Sequence, residues 1–181
     1  MLEEIFLVRH ATPDRSINIS YYVPPGPPLT PFGRAEAQQA TRWLVGRGVE
    51  HIFASPFDRT TQTAEALVEH LGVDVTFTKT LQEGAPGEGL PRVRARVVEL
   101  LQQLDDSPLR CVALVTHGAC VLAVLQHTTN DRIDLRNHRY DNGNHAPTAG
   151  IWHGVRGPDG WRWELAFRPA VAESATREVV L

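Results

Sequence analysis

Two short apolar runs constrain the fold of this chain more than any other feature. Ile5-Phe6-Leu7-Val8 and Val112-Ala113-Leu114-Val115 are continuous, without alternating polar positions. Such runs suit strands covered on both faces, as in a parallel sheet. Ile52-Phe53-Ala54 is a shorter version, and Val73 to Phe77 alternates in the manner of a less buried or edge strand. Helical patterns lie between these strands. Thr30 is an N-cap candidate followed by Pro31, with Ala37, Ala40 and Leu44 on one face and Gly48 as the stop. Ser55-Pro56 repeats the cap-then-proline signature, and Ala64, Leu67, Val68 and Leu71 form a stripe that Gly72 ends. Val93, Val97, Leu100, Leu101 and Leu104 mark a third helix, and Val121, Leu122 and Leu125 a fourth that opens near Gly118. Alternating strands and helices predict an α/β fold, a three-layer α/β/α sandwich on a mostly parallel sheet.

Residues 13–31 break this rhythm, holding six of the thirteen prolines, and read as an extended loop. Ile151 to Val155 and Trp161 to Phe167 flank Gly157-Pro158-Asp159-Gly160 as a hairpin. Residues 1–168 are expected to form one domain, with 169–181 as a tail of weak periodicity. A chain of 181 residues is long enough for a single sizeable core. Its 18 basic and 21 acidic residues give a net charge of −3, which argues against a nucleic-acid binder. Two cysteines, Cys111 and Cys120, match neither a disulfide framework nor a zinc pattern. No apolar run approaches the roughly 20 residues of a membrane span, and the acidic start points to a cytoplasmic protein.

The polar residues that follow the strands carry the chemistry. Arg9-His10 comes directly after the first apolar run, and Thr116-His117-Gly118 directly after the other. Ligands of open α/β sheets bind at the carboxyl ends of the strands, so these histidines are placed to meet. Arg59 lies in the first turn of the helix after Ile52-Phe53-Ala54, where free N–H groups and a partial positive charge favour anions. Arg9, Arg59 and His117 would thus converge on an anion beside His10.

These residues, with Leu29-Thr30-Pro31-Phe32-Gly33-Arg34, Ala54-Ser55-Pro56-Phe57-Asp58-Arg59-Thr60-Thr61-Gln62-Thr63-Ala64, Leu81-Gln82-Glu83-Gly84 and the late Thr116-His117-Gly118, resemble the histidine phosphatase superfamily and its phosphoglycerate mutase-like fold. The matches run in family order over roughly residues 5–125. The resemblance implies that His10 attacks phosphorus and forms a phosphohistidine. Arg9, Arg59 and His117 would hold the phosphoryl oxygens, with Ser16 and Gly118 as further substrate contacts. Glu83 would act as general acid and then as base, with Glu88 as the competing candidate. No metal or other cofactor is implied. Ala11 and Thr12 replace the glycine and acidic residue that many members carry after Arg-His. Ser16 stands near the place of a family asparagine, with Asn18 close by, and Pro28 replaces a common acidic residue.

Gly84 to Leu90 leaves only a tight loop before the third helix, where the phosphoglycerate mutases that share this resemblance carry a longer, substrate-enclosing insertion. The expected activity is therefore hydrolysis of a small phosphorylated metabolite. A phosphoglycerate mutase and a non-catalytic phospho-ligand module are the alternatives. Tyr21 and Tyr22 lie in the proline-rich loop, placed either to contact a leaving group or simply to pack. His138 to His145 lacks metal-ligand spacing and reads as a loop near the site, in which Asn142 resembles a family asparagine. The tryptophans Trp152, Trp161 and Trp163 are expected to pack in the hairpin. The oligomeric state is not legible in the sequence.

Overall fold

A computed structural model describes residues 1–170. Strand β1 spans Glu4–Arg9, β2 His51–Ala54, β3 Val75–Phe77, β4 Cys111–Thr116, β5 Ile151–Gly157 and β6 Gly160–Phe167. Helix α1 spans Pro31–Leu44, α2 Asp58–Leu71, α3 Leu90–Asp105 and α4 Gly118–Thr128. The strands form one sheet in the order β3-β2-β4-β1-β5-β6. The first four are parallel, whereas β5 runs antiparallel to β1 and β6 antiparallel to β5.

The continuous apolar runs are explained by helices on both faces. Ile5, Leu7, Val112 and Leu114 pack with Val93, Val97, Leu101, Val121 and Leu125 of α3 and α4. Phe6, Val8, Ala113 and Val115 point the other way, into Ala37, Ala40, Leu44, Ala64 and Leu67 of α1 and α2. The period of two in a strand thus divides each run between two cores. The three-layer α/β/α sandwich expected from the sequence is the observed architecture, as are the edge position of β3 and the β5–β6 hairpin. Among the described residues no helix is long and apolar enough to cross a membrane.

Two boundaries differ from expectation. Helix α1 ends at Leu44 rather than running to Gly48, because Val45 already has an extended ψ of 131°. Helix α2 starts at Asp58 with Phe57 at the cap position, so Ser55 is not its N-cap. Residues 171–181, most of the expected tail, lie outside the described residues.

The extended loop after β1 is closed at its base. Asp14 N–H donates to the Pro28 carbonyl at 2.7 Å, and Thr30 N–H to that of Thr12 at 3.0 Å. Helix α1 starts from this base, with the Thr30 hydroxyl accepting from Gly33 N–H at 2.9 Å. Gly33 lets α1 approach the chain just beyond His10. A Cβ there would lie 2.2 Å from the Thr12 carbonyl oxygen, and backbone must shift to relieve it. Gly33→Ala should therefore destabilise the protein by about 1–3 kcal/mol, the usual range for overpacking. Equilibrium urea unfolding checks this, and an unchanged midpoint would contradict the close approach.

Candidate active site

Strand β1 pairs with β4 in a register that sets Arg9 opposite Thr116. The next residues, His10 and His117, therefore leave the sheet edge side by side. Their ring centroids lie 5.2 Å apart, and His10 N–H donates to the Thr116 carbonyl at 2.9 Å. Both rings are buried. His10 Nδ1 lies 2.8 Å from the Ala11 carbonyl, which can only accept, so Nδ1 carries the proton and Nε2 presents its lone pair. The Tyr21 hydroxyl lies 3.3 Å from that Nε2 and donates to it. His117 Nε2 lies 2.8 Å from Ser55 Oγ, leaving Nδ1 without a partner among the described residues. This bond explains why Ser55 does not cap α2.

Arg59 projects from the first turn of α2 and is fully buried. None of its nitrogens has a hydrogen-bond partner among the described residues. The Tyr21 ring covers the guanidinium at 4.0 Å, and Arg15 lies 4.3 Å from the same ring. A buried guanidinium with idle donors is strongly unfavourable unless an anion completes it. The Arg59 carbonyl accepts from Thr63 Oγ1, which in turn accepts from Ala11 N–H, tying α2 to the chain after His10.

Glu83 follows a short 3-10 turn, Lys79–Leu81. Its Oε2 lies 3.7 Å from His117 Nδ1 and 4.0 Å from Arg59 Nη2. Its Oε1 accepts from Gly84 N–H at 3.0 Å. Burial raises this carboxyl above its ordinary value, outweighing the Gly84 bond and the Arg59 charge that oppose it. Glu88, the competing candidate, is held by Arg96 and has its carboxyl lowered chiefly by that bond. Of these two carboxyls it is Glu83 that faces the histidines.

Arg9 stands differently from expectation. Both terminal nitrogens are engaged by the Asp141 carboxylate at 2.6 and 2.7 Å, and Nη1 also donates to the Ala146 carbonyl. Its Nε remains without a partner among the described residues. Gly118, the first residue of α4, is buried, and a Cβ there would lie 1.5 Å from Asn144 Oδ1. Residues 141–146 therefore close onto the site, but through Asp141 and Asn144 rather than Asn142, which has a left-handed φ of 51°. Ser16 is not brought into the cluster, since its hydroxyl is held by Asp14 Oδ1 at 2.6 Å on the exposed loop. Trp152 is buried as expected, with Nε1 donating to the His145 carbonyl.

Nothing in the sequence marked Asp141, Ser55 or Thr63 for these contacts. Asp141 sits in a loop without periodicity, and the hydroxyls of Ser55 and Thr63 satisfy ordinary helix patterns. His10, Glu83 and His117 offer donor atoms within 4.8 Å of one another, a span that a cation could bridge. The neighbouring idle guanidinium favours an anion instead. A lone pair on His10, unpartnered nitrogens on Arg59 and His117, and a carboxyl with a raised pKa are gathered in one buried cluster beneath Tyr21, a chemistry suited to a tetrahedral anion.

The fold and this cluster define an α/β protein with a concentration of buried cationic and imidazole groups at the carboxyl ends of its parallel strands. A sequence model of the histidine phosphatase superfamily (branch 1) matches residues 5–88, and over that stretch the chain is similar to the superfamily. It is 25% identical over 146 residues to a probable phosphoglycerate mutase GpmB of Proteus mirabilis, covering 66% of this chain and 67% of that protein. It is 31% identical over 80 residues to the Salmonella arizonae protein of the same name. That match covers 44% of this chain and only 37% of the relative's length. A mycobacterial glucosyl-3-phosphoglycerate phosphatase, solved with VO3, shares the fold with a TM-score of 0.70. It is 22% identical, and the likeness covers 93% of this chain and all of that one, 100%.

Burial, then the Arg9 and Arg59 charges, hold the His10 imidazole well below its ordinary value. Burial, then His10 and Arg59, do the same for His117. Both rings should stay neutral at pH 6, where an ordinary imidazole of pKa about 6.5 is mostly protonated. Histidine ring NMR titration checks this, and protonation of His10 with a midpoint near 6.5 would contradict the burial.

Proposed function

We propose that this protein hydrolyses small phosphomonoesters through a phosphohistidine at His10. The observation that carries this reading is the neutral Nε2 of His10 facing the unpartnered donors of Arg59 and His117. As substrate enters, its phosphoryl group displaces the Tyr21 hydroxyl from Nε2. Arg59, the Arg9 Nε–H and the Gly118 backbone N–H bind the phosphoryl oxygens, and Ser55 donates to His117 Nε2 so that Nδ1–H faces the same group. Nε2 forms the bond to phosphorus while the P–O bond to the leaving group breaks, and Glu83 gives that oxygen its proton. Glu83, now a carboxylate, takes a proton from water as the water attacks phosphorus. The N–P bond then breaks, releasing phosphate and restoring the imidazole and the protonated carboxyl.

Hydrolysis is favoured over a mutase by the connection from Glu83 to Leu90, which is too short to enclose a phosphorylated intermediate. The names of the sequence relatives keep phosphoglycerate mutation as the second reading. Phosphate release from a panel of monoesters, run beside conversion of 3-phosphoglycerate, separates the two. Release of phosphate by the wild type and a loss on the order of 10³-fold or more in His10→Ala are expected. Isomer conversion without phosphate release would favour the mutase, and phosphate binding without turnover would favour a binding module.

Two variants test the roles. Arg59→Lys should lose about 100-fold in kcat/KM, because an ammonium lacks the planar fork that meets two oxygens. Near-wild-type turnover would remove Arg59 from the pocket. Activity needs His10 neutral and Glu83 protonated, so kcat/KM should fall both below the depressed His10 pKa and above the raised Glu83 pKa. The acid limb lies below 6.5 because the His10 pKa is depressed, and the alkaline limb lies above 4.5 because the Glu83 pKa is raised. Glu83→Gln should abolish the alkaline limb, and a persisting limb would assign the proton elsewhere.

A further inference from the structure

The segment that delivers Glu83 has no regular secondary structure to stiffen it beyond one 3-10 turn, yet its carbonyls from residue 80 to 83 are all held by side chains. The Thr80 carbonyl accepts from Arg96 Nη1. The Leu81 carbonyl accepts from Thr116 Oγ1 at 2.7 Å. The Gln82 carbonyl accepts from Arg96 Nη2 at 2.7 Å and from the Cys120 thiol at 3.2 Å. The Glu83 carbonyl accepts from Arg96 Nη2 at 3.4 Å. Arg96 thus spans three of the four from its place on α3.

The guanidinium is itself oriented from outside. Glu88 Oε1 accepts from Arg96 Nε at 3.0 Å and Oε2 from Nη2 at 3.2 Å. Glu88 also accepts from Ala85 N–H at 3.0 Å, so it braces the tight turn between Glu83 and α3. Each member of the Arg96–Glu88 pair is 19% exposed, so the pair is shielded from most solvent screening. A planar fork meeting several carbonyls defines direction as well as distance, which an ammonium does not.

We propose that Arg96, oriented by Glu88, is a positioning residue that fixes the Glu83 carboxyl against His117 and Arg59. This rests on Glu83 being the general acid. Glu88 is then not a rival acid but the counter-ion of the clamp. Neither residue touches the pocket donors, and their effect passes through the backbone of residues 80–83. A misplaced acid weakens proton transfer to the leaving group but leaves attack by His10 and the anion-binding donors in place. Loss of the clamp therefore has a chemical signature that general destabilisation lacks.

The test is the ratio of kcat/KM for an alkyl phosphate, glycerol phosphate, to that for an aryl phosphate, p-nitrophenyl phosphate. The aryl leaving group departs with little help from an acid, and kcat/KM reports the phosphorylation step alone. Glu83→Gln is the reference and should lower the ratio steeply. Arg96→Met should lower it by about tenfold or more, since a shift near 1 Å in a catalytic group is enough for such a loss. Arg96→Lys should restore part of the ratio, and Glu88→Gln should lower it less than Arg96→Met does. Equal slowing of both substrates in Arg96→Met, with Glu83→Gln still selective, would overturn the clamp and leave the acid role standing. An unselective Glu83→Gln would overturn the acid role and the clamp with it. If Arg96→Met does not fold, Glu88→Gln decides: a lowered ratio supports the clamp and an unchanged one overturns it.

Discussion

The parallel pairing of β1 with β4 is the constraint on which everything else depends. Its register places Arg9 beside Thr116 and sends His10 and His117 off the same sheet edge. A slip of one residue would turn every side chain of the run to the opposite face and interchange the two cores. The apolar cores that fix the sheet thus also fix the spacing of the two imidazoles, and the hydrogen bond from His10 N–H to the Thr116 carbonyl extends the pairing to the site. The active geometry is a continuation of the core rather than an addition to it.

The pocket built on that edge is held in an electrostatically unsatisfied condition. Arg59 is buried with idle donors, whereas Arg9 is buried and bound by Asp141. The contrast assigns different work to two residues that look equivalent in the sequence. Arg59 is free to meet an incoming anion, and Arg9 offers one edge while its fork anchors residues 141–146. Tyr21 occupies the remaining space, its ring over Arg59 and its hydroxyl at His10. Burial raises the Glu83 pKa and lowers those of the histidines, so one physical cause would prepare both the acid and the neutral nucleophile of the proposed mechanism.

Much of this was legible in the residues. The continuous runs at 5–8 and 112–115 specified buried parallel strands because both faces of each had to be apolar. The charged groups after them specified the site because strand ends converge. Gly72, with a left-handed φ of 66°, ended α2 as its position implied. A serine before proline signals a cap, but the competing pull of His117 on Ser55 is a contact over 62 positions that no local pattern carries. Asp141 and Arg96 escaped for the same reason, since each acts across the fold from an element whose own sequence is ordinary. The sequence places Ser16 near the cluster, but a local bond to Asp14 holds its hydroxyl on the exposed loop.

In the proposed mechanism the His10 imidazole becomes covalently phosphorylated during turnover. Rapid quenching into alkali with a 32P-labelled monoester, followed by peptide mapping, measures this directly. An acid-labile, alkali-stable phosphoryl group should appear on His10 and decay at rates matching turnover. Turnover with no label on His10, or with the label on His117 instead, would contradict it.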